Sequence, residues 1–282
     1  MSFDFLIYLF IFVFGTICGS FLNCVIYRLE IGESFLKGRS YCPHCKHVLT
    51  WQDLIPIFSF LILKGKCRYC HQKISWQYPL VELATGILFV STLIYFFSKT
   101  SILVNSAMTE LTSIYYLVIA CFLIIIFVYD LKHYIIPDKV IYPAIAIAFL
   151  YQLFKIWDLG FVPNFEFRIS NFQTLANPLL SAFLASLFFL MIVLISQGKW
   201  MGVGDIKLAF LMGLILSFPN ILAALFLAFF IGAIIGIGLI IARKKTLKSE
   251  IPFGPFLVSG TFLALFLGQR ILGWYLNLFS PR

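Results

Sequence analysis

The sequence predicts an all-α polytopic membrane protein with about eight transmembrane helices and a small cytoplasmic zinc-binding domain between the first and second spans. Of its 282 residues, 61% are hydrophobic and only 12% are charged, whereas a soluble domain carries about 25% charged residues. Apolar runs long enough to cross a ~30 Å hydrocarbon core as helices recur along the chain. They are continuous rather than alternating, which excludes an outer-membrane β-barrel. Two Cys-x-x-Cys pairs lie in the one segment that resembles a soluble domain.

The first apolar run, residues 3–26, is predicted to be a permanent span rather than a secretory signal. An acid, Asp4, stands where a signal peptide has basic residues. The run is also much longer than the hydrophobic core of a signal peptide. The eight predicted spans cover residues 3–26, 79–98, 113–129, 139–157, 178–197, 206–218, 221–242 and 256–276.

The distribution of lysine and arginine predicts the orientation of these spans. With the N-terminus outside, 16 of the 21 basic residues fall on the cytoplasmic side, where basic residues concentrate in membrane proteins. The net charge of +9 then reflects topology and contact with anionic lipid headgroups, and it does not indicate binding to nucleic acid. The cytoplasmic segments are residues 27–78, 130–138 with Lys139 at the edge, 198–207 and 243–255.

The sixth predicted span, residues 206–218, is too short for an ordinary crossing. Its 13 residues make a helix of about 20 Å, less than the ~30 Å hydrocarbon thickness. We expect a short crossing whose cytoplasmic end is sunk into the bilayer and carries Asp205 with it. A re-entrant hairpin is the alternative, but it would move Arg243, Lys244 and Lys245 to the other side of the membrane.

Four of the seven cysteines form two pairs, and the other three lie in apolar spans. Cys42 and Cys45 are separated from Cys67 and Cys70 by 21 residues, a spacing that matches a double Cys-x-x-Cys zinc site. Each pair lets one tight turn present two sulfurs, and four thiolates close the tetrahedral sphere of a structural Zn²⁺ ion. Disulfides are the alternative, but a cytoplasmic segment lies in a reducing compartment. A redox site would need only one of the two pairs.

Two acids at the cytoplasmic ends of spans indicate a catalytic pair. Asp130 ends an apolar run, where the helix dipole disfavours an anion. A structural role is the alternative for each acid: the nearby Lys132 would compensate Asp130, and Asp205 would be a helix N-cap. Capping does not require Gly202 and Gly204, which precede Asp205; glycines permit a positive φ and the close approach of another backbone, which leaves room for an extended substrate peptide. Two carboxylates that meet share one proton, so that one acts as general base toward water while the other protonates the carbonyl oxygen.

Other acids near the spans have structural explanations. Asp138, which follows Pro137 and precedes a long span, is predicted to be a helix N-cap. Glu82 lies inside the second span. It is either a first-turn acid favoured by the helix dipole or a polar group facing the bundle interior.

Several blocks, in order along most of the chain, resemble the type IV prepilin peptidases, which are membrane aspartyl proteases of the Gly-x-Gly-Asp kind. The combination in this order is far more specific than any single block. The blocks are GSFLNCVIYRL (19–29), the pair CPHC and CRYC, WQDLIPIFSFLILKGKCRYC (51–70), ISWQYPLVELATG (74–86), YDLKHYIIPD (129–138), MGVGDIKL (201–208) and IPFGPFL (251–257).

The resemblance implies that Asp130 and Asp205 are the catalytic aspartates, that Asp138 is not catalytic, and that the four paired cysteines bind zinc. It implies removal of a short basic leader from pilin-like precursors (prepilins or pseudopilins), typically after a glycine. It also implies methylation of the new N-terminal residue with S-adenosylmethionine, since the zinc domain is characteristic of members with both activities. One position departs from the pattern: Gln77 stands where a basic residue is expected, which bears on methyl transfer and not on cleavage.

The resulting hypothesis is a membrane aspartyl endopeptidase of the bacterial cytoplasmic (inner) membrane, with its catalytic and zinc sites on the cytoplasmic side. It divides the chain into a first transmembrane helix (1–26), a cytoplasmic zinc-binding domain (27–78) and a seven-helix peptidase membrane domain (79–282). The alternatives are a peptidase without methyl transfer, an ion- or proton-coupled transporter that uses the two aspartates, and a non-catalytic zinc-bearing scaffold. Transporter acids usually lie near the bilayer midplane, and a scaffold has no use for the glycine–aspartate loop.

Overall fold

The computed structural model describes residues 3–34, 38–99, 106–158, 165–244, 246 and 249–279. These residues are mainly helical, with two isolated antiparallel bridges, Tyr41–Val48 and Lys66–Lys73. The prediction of an all-α membrane protein is therefore confirmed. In chain order the elements are α1 Phe3–Ile31, a 3₁₀ turn Trp51–Leu54, α2 Phe58–Ile62, α3 Gln77–Lys99, α4 Ser106–His133, α5 Asp138–Asp158, α6 Phe165–Ser196, α7 Val203–Leu216, α8 Asn220–Ile241 and α9 Gly254–Phe279.

Each of the eight predicted spans lies, to within a few residues at its ends, inside one of the helices α1 and α3 to α9. Among the described residues, six helices are long and apolar enough to cross a membrane, namely α1, α3, α4, α6, α8 and α9. That the chain crosses the membrane eight times stays a prediction. The chain forms two compact units, Met1–Ile125 and Ile126–Arg282.

In the first unit, glycines bring the backbones of α1 and α3 into contact. A Cβ atom on Gly15 would lie 2.8 Å from the Cα of Gly86, and one on Gly19 would lie 2.7 Å from the Cα of Glu82. Larger side chains do not fit at these positions, and small residues allow membrane helices to approach this closely. The cysteine-bearing segment leaves from the end of α1 and returns at the start of α3, so this packed pair of helices sets where the segment begins and ends.

In the second unit, α7 is the central helix and packs against α5, α6, α8 and α9. It is apolar on nearly every face, which is the pattern of a buried helix, and Leu208, Leu211 and Leu214 are completely buried. Its 14 residues give about 21 Å of helix. A helix this short is accommodated because protein, and not lipid, surrounds it. The close packing of α6 depends on Gly213, whose Cβ would lie 2.3 Å from the Cα of Ala182.

Candidate active site and metal centre

The four paired cysteines form one compact cluster in the first unit. Their sulfur atoms all lie within 4.8 Å of one another, and the sulfurs of Cys42 and Cys70 are 3.9 Å apart. A tetrahedral zinc ion with Zn–S bonds of about 2.3 Å requires sulfur–sulfur separations of about 3.8 Å. Cys42 and Cys67 are buried, whereas Cys45 is exposed. The cluster therefore fits a four-coordinate metal ion.

The two Cys-x-x-Cys turns have the same backbone conformation. The N–H of Lys46 donates to the carbonyl oxygen of Cys42 at 2.9 Å, and the N–H of His71 donates to that of Cys67 at 3.0 Å. Lys46 and His71, each directly after the second cysteine of its pair, both have a φ of 57°. The left-handed residue closes each turn, so that both sulfurs of a pair point toward the same centre. The repeated geometry favours metal binding by all four cysteines together.

Asp53 ties the 3₁₀ turn to the second cysteine pair. Its carboxylate accepts hydrogen bonds from the Thr50 hydroxyl at 2.8 Å and from Nε of Arg68 at 2.8 Å. Burial of Asp53 opposes its ionisation, but the hydrogen bonds from Thr50 and the guanidinium of Arg68 outweigh it and hold the pKa of Asp53 below its ordinary value. Because Arg68 lies between Cys67 and Cys70, this contact fixes the orientation of the second pair.

Glu82 links the segment before α2 to α3. It lies beyond the first turn of α3 and is 7% exposed. Its carboxylate accepts a hydrogen bond of 2.7 Å from the backbone N–H of Ile57, a residue with a φ of 61°. Of the two explanations open for this acid, the structure favours the inward-facing polar group. A buried carboxylate here stabilises a strained backbone at Ile57.

Asp130 and Asp205 line one cavity of about 720 Å³ in the second unit. Asp130 belongs to the last turn of α4, and Asp205 is the third residue of α7. Both are buried, with 4% and 8% of their surface exposed. The structure therefore brings together two acids that lie 75 residues apart in the sequence.

A backbone N–H group holds the carboxylate of Asp130. The N–H of Gly254, the first residue of α9, donates to Oδ2 of Asp130 at 3.0 Å. A Cβ atom on Gly254 would lie 2.6 Å from the same oxygen. Sequence reasoning did not identify Gly254 as a site residue. The sequence feature that could have identified it is its position in the block IPFGPFL, where Gly254 lies two residues after Pro252 and just before a predicted span.

The two glycines before Asp205 differ from each other. Gly202 is the N-cap of α7 with an ordinary φ of −82°, and Gly204 is a helical residue in its first turn. Neither residue uses the positive φ that glycine permits; in this loop it occurs at Gly198, with a φ of 75°. Close approach occurs at Gly204, where a Cβ would lie 3.1 Å from the Cβ of Ile136. The neighbour is a side chain and not the backbone that was expected.

Asp138 is the first residue of α5, and its carboxylate binds Nζ of Lys207 at 2.5 Å. The carbonyl oxygen of Pro137 accepts the hydrogen bonds from Val140 and Ile141 that open the helix. The N-cap expected at Asp138 is thus one residue earlier, at Pro137. The ion pair joins the start of α5 to α7, two residues after Asp205.

The rim of the cavity carries further charged and aromatic groups. Trp200 is exposed, with 75% of its surface accessible, and it lies in the loop directly before α7. The charged groups around the cavity are Asp138, Lys139, Lys199, Lys207 and Glu250.

Comparisons with known proteins cover nearly the whole chain. The family model for the Bacterial Peptidase A24 N-terminal domain matches residues 13–96, and that for the Type IV leader peptidase family matches residues 117–237. The chain is 31% identical over 271 residues to the prepilin leader peptidase/N-methyltransferase of Bacillus subtilis (strain 168), covering 95% of this chain and 97% of that protein. It is 30% identical to the enzyme of the same name from Aeromonas hydrophila and 32% identical to that from Aeromonas salmonicida (strain A449), each over 95% of this chain and 93% of the relative. No solved structure matches the chain significantly.

Proposed function

We propose that this chain, which belongs to the type IV leader peptidase family, cleaves prepilin leader peptides with the carboxyl groups of Asp130 and Asp205. Its relatives are prepilin leader peptidase/N-methyltransferases, so its function is prepilin processing with N-methylation. The observation that supports the catalytic assignment is the presence of both buried carboxylates in one cavity. Family membership favours this enzyme over an ion-coupled transporter or a scaffold.

The reaction uses one carboxylate and one carboxylic acid. The carboxylate removes a proton from water as the water oxygen bonds to the carbonyl carbon, and the acid gives its proton to the carbonyl oxygen. When the tetrahedral intermediate collapses, the C–N bond breaks and the carbonyl re-forms. The leaving amine then takes the proton held by the first carboxylate, while the carbonyl oxygen returns its proton to the second. The pair ends in its starting state.

The substrate class agrees with the surroundings of the cavity. A pilin precursor has a basic leader followed by an apolar helix, so its cleavage site lies at the cytoplasmic membrane face. We place Asp130 and Asp205 at that face because 16 of the 21 basic residues mark it as cytoplasmic. Gly202 and Gly204 line the cavity and leave space beside Asp205 for an extended peptide.

The chain is a multi-pass protein of the inner membrane, for which we propose an outside N-terminus. The same basic residues then face anionic lipid headgroups. Residues 27–78 form the cytoplasmic zinc-binding domain in this proposal, and residues 79–282 form the peptidase membrane domain after the first helix at 1–26.

Zinc is the metal that fits the cluster of Cys42, Cys45, Cys67 and Cys70. Four thiolates fill its tetrahedral sphere and leave no position for a substrate, so the ion serves as a structural staple. A segment of about 50 residues is too small to hold much hydrophobic core without such a staple.

Methyl transfer requires a donor, and we propose S-adenosylmethionine, which supplies an electrophilic methyl group for the new N-terminal amine.

Gln77, which departs from the family pattern, has a packing role. Its side-chain Nε2 donates to Oδ1 of Asn23 at 3.3 Å, and the Nδ2 of Asn23 donates to the carbonyl oxygen of Tyr78 at 3.1 Å. These contacts join α1 to the start of α3. Methyl transfer is tested by incubating the cleaved product with a methyl donor that carries a labelled methyl group. If no label is incorporated, the chain is a peptidase without methyltransferase activity.

Cleavage of a precursor with a basic leader and an apolar helix tests the catalytic assignment. Asp130→Asn and Asp205→Asn are each expected to lower the rate by more than about 100-fold, since general acid–base catalysis contributes 10²–10⁴-fold. Asp158→Asn, at the C-terminal end of α5, is the matched control and is expected to cut normally. A normal rate for either folded, zinc-loaded variant at the two catalytic positions would contradict the assignment.

A further inference from the structure

We propose that Gly254 is a positioning residue of the cleavage reaction, and that its N–H group makes Asp130 the general base and leaves Asp205 to supply the proton. The inference rests on the proposed function of the two aspartates and assigns their separate roles. It draws on three observations: the hydrogen bond to Asp130, the space around Gly254, and the difference between the surroundings of the two carboxylates.

The hydrogen bond to Asp130 comes from the start of a long helix. Gly254 opens α9, which has 26 residues, and the first N–H groups of a helix have no acceptor within it. The carbonyl oxygen of Phe253 accepts the N–H groups of Phe256 and Leu257, so Phe253 is the N-cap of α9 and Gly254 is its first residue. Asp130 Oδ2 is the acceptor for Gly254, at 3.0 Å and in a buried position. The N-terminal end of α9 therefore faces the Asp130 carboxylate and offsets the unfavourable position of this acid in the last turn of α4.

The space around Gly254 permits only glycine without a rearrangement. A Cβ there would lie 2.6 Å from Oδ2, 3.1 Å from Cγ and 3.4 Å from Cβ of Asp130. The closest atom is the end of a side chain that can rotate. A larger residue at position 254 is therefore expected to turn the Asp130 carboxylate away from the N–H group while α9 stays in place.

The surroundings of the two carboxylates differ. Asp205 lies in the first turn of α7, where the helix dipole also favours an anion, so the dipoles do not separate the two acids and the hydrogen bonds do. Asp205 has a backbone donor in Gly202, but Gly202 is an exposed residue at the N-cap of α7. A hydrogen bond in a buried, low-dielectric position is stronger than one beside solvent. Since two neighbouring carboxylates do not both ionise easily, the single negative charge resides on Asp130 and the shared proton on Asp205. Asp130 then removes the proton from water, and Asp205 protonates the carbonyl oxygen.

The test compares Gly254→Ala with Gly273→Ala in the full-length enzyme. Gly273 lies in the same helix, and a Cβ there would have no atom within 4 Å, so this variant is expected to match the wild type. For Gly254→Ala we expect a fall in kcat of about tenfold or more with little change in KM, because a hydrogen bond to a charged group is lost. Thermal unfolding and zinc content are expected to stay at the wild-type values.

The pH profile distinguishes positioning from a purely structural role. Without its N–H donor the carboxylate form of Asp130 is less favoured, so the base takes up a proton at a higher pH. The acid limb of the kcat profile is therefore expected to move up by about one to two pH units. The other charged or titratable groups around the cavity are unchanged in this variant; they are Tyr129, Tyr134, Asp138, Lys139, Lys199, Asp205, Lys207 and Glu250. If Asp130 were the acid, the alkaline limb would move instead, and the role assignment would be overturned.

A second comparison does not depend on the folding of Gly254→Ala. Asp205→Asn keeps the base, and its amide N–H group can still donate to the carbonyl oxygen, so its residual cleavage is expected to exceed that of Asp130→Asn by about tenfold. The reverse order overturns the role assignment. A wild-type rate and pH profile for Gly254→Ala overturns the positioning role. Failure of the wild type to cut the precursor counts against the proposed function itself.

Discussion

Alanine at Gly204 and alanine at Gly202 are expected to have different consequences, although both glycines precede Asp205. A Cβ on Gly204 would lie 3.1 Å from Cβ, 3.3 Å from Cγ1 and 3.4 Å from Cδ1 of Ile136. Ile136 is 6% exposed and lines the cavity that holds Asp130 and Asp205, so a displacement of its side chain changes the cavity. A Cβ on Gly202 would meet only the backbone nitrogen of Gly204, at 3.9 Å. Only the first substitution therefore forces packed atoms to move.

The size of the effect follows from these distances. Carbon atoms rest at about 3.5–4.0 Å from each other, so the added methyl group overlaps Ile136 by several tenths of an ångström. Overpacking of this kind costs about 1–3 kcal/mol. Ile136 lies in the turn after α4, which carries Asp130, and Gly204 adjoins Asp205. The overlap is therefore expected to change the separation of the two carboxylates. If the cost of about 1–3 kcal/mol raises the free energy of the transition state, kcat falls by about 5- to 150-fold.

Cleavage kinetics and thermal unfolding of the purified variants provide the assay. Gly204→Ala is expected to lower both kcat and Tm. Gly202→Ala should retain the wild-type Tm, and any loss of activity should appear in KM, because the added methyl group only narrows the cavity. Ile136→Ala combined with Gly204→Ala removes Cγ1 and Cδ1 of the isoleucine and should restore part of kcat. Wild-type Tm and kcat for Gly204→Ala would refute this reasoning.

Three further predictions concern the metal, the packing of α7 and the ion pair at its start. Cys42→Ser should reduce zinc to well below one ion per chain and destabilise the first unit, since one of the four sulfurs is lost; metal analysis that finds one ion per chain would contradict this. Gly213→Ala should lower Tm strongly, because its Cβ would lie 2.3 Å from a backbone atom of α6, whereas Gly238→Ala, with open space around it, should not. Lys207→Met breaks the ion pair with Asp138, which has 61% of its side chain exposed. The free energy of unfolding should fall by no more than about 1 kcal/mol. A loss of cleavage rate above about tenfold would indicate that Lys207 contacts the substrate.

The sequence by itself determined the features whose physical cause is local. An acid beside an apolar run is costly in a bilayer wherever it occurs, so Asp130 and Asp205 are conspicuous without coordinates. The two-residue spacing within each cysteine pair sets the geometry of one turn, and this was sufficient to predict the four-sulfur cluster that the structure contains. The length and composition of the apolar runs were sufficient to predict the helices.

Only the tertiary structure decided which distant groups meet. The N–H of Gly254 reaches Asp130 across 124 residues, Glu82 accepts the N–H of Ile57, and the side chain beside Gly204 belongs to the turn after α4. Hydrophobic periodicity identifies the face of a helix that is buried, but not the atom that lies against it. The partner of each polar group, and the glycine at which no Cβ fits, depend on how the helices pack together, and packing is a property of the whole unit rather than of any one segment.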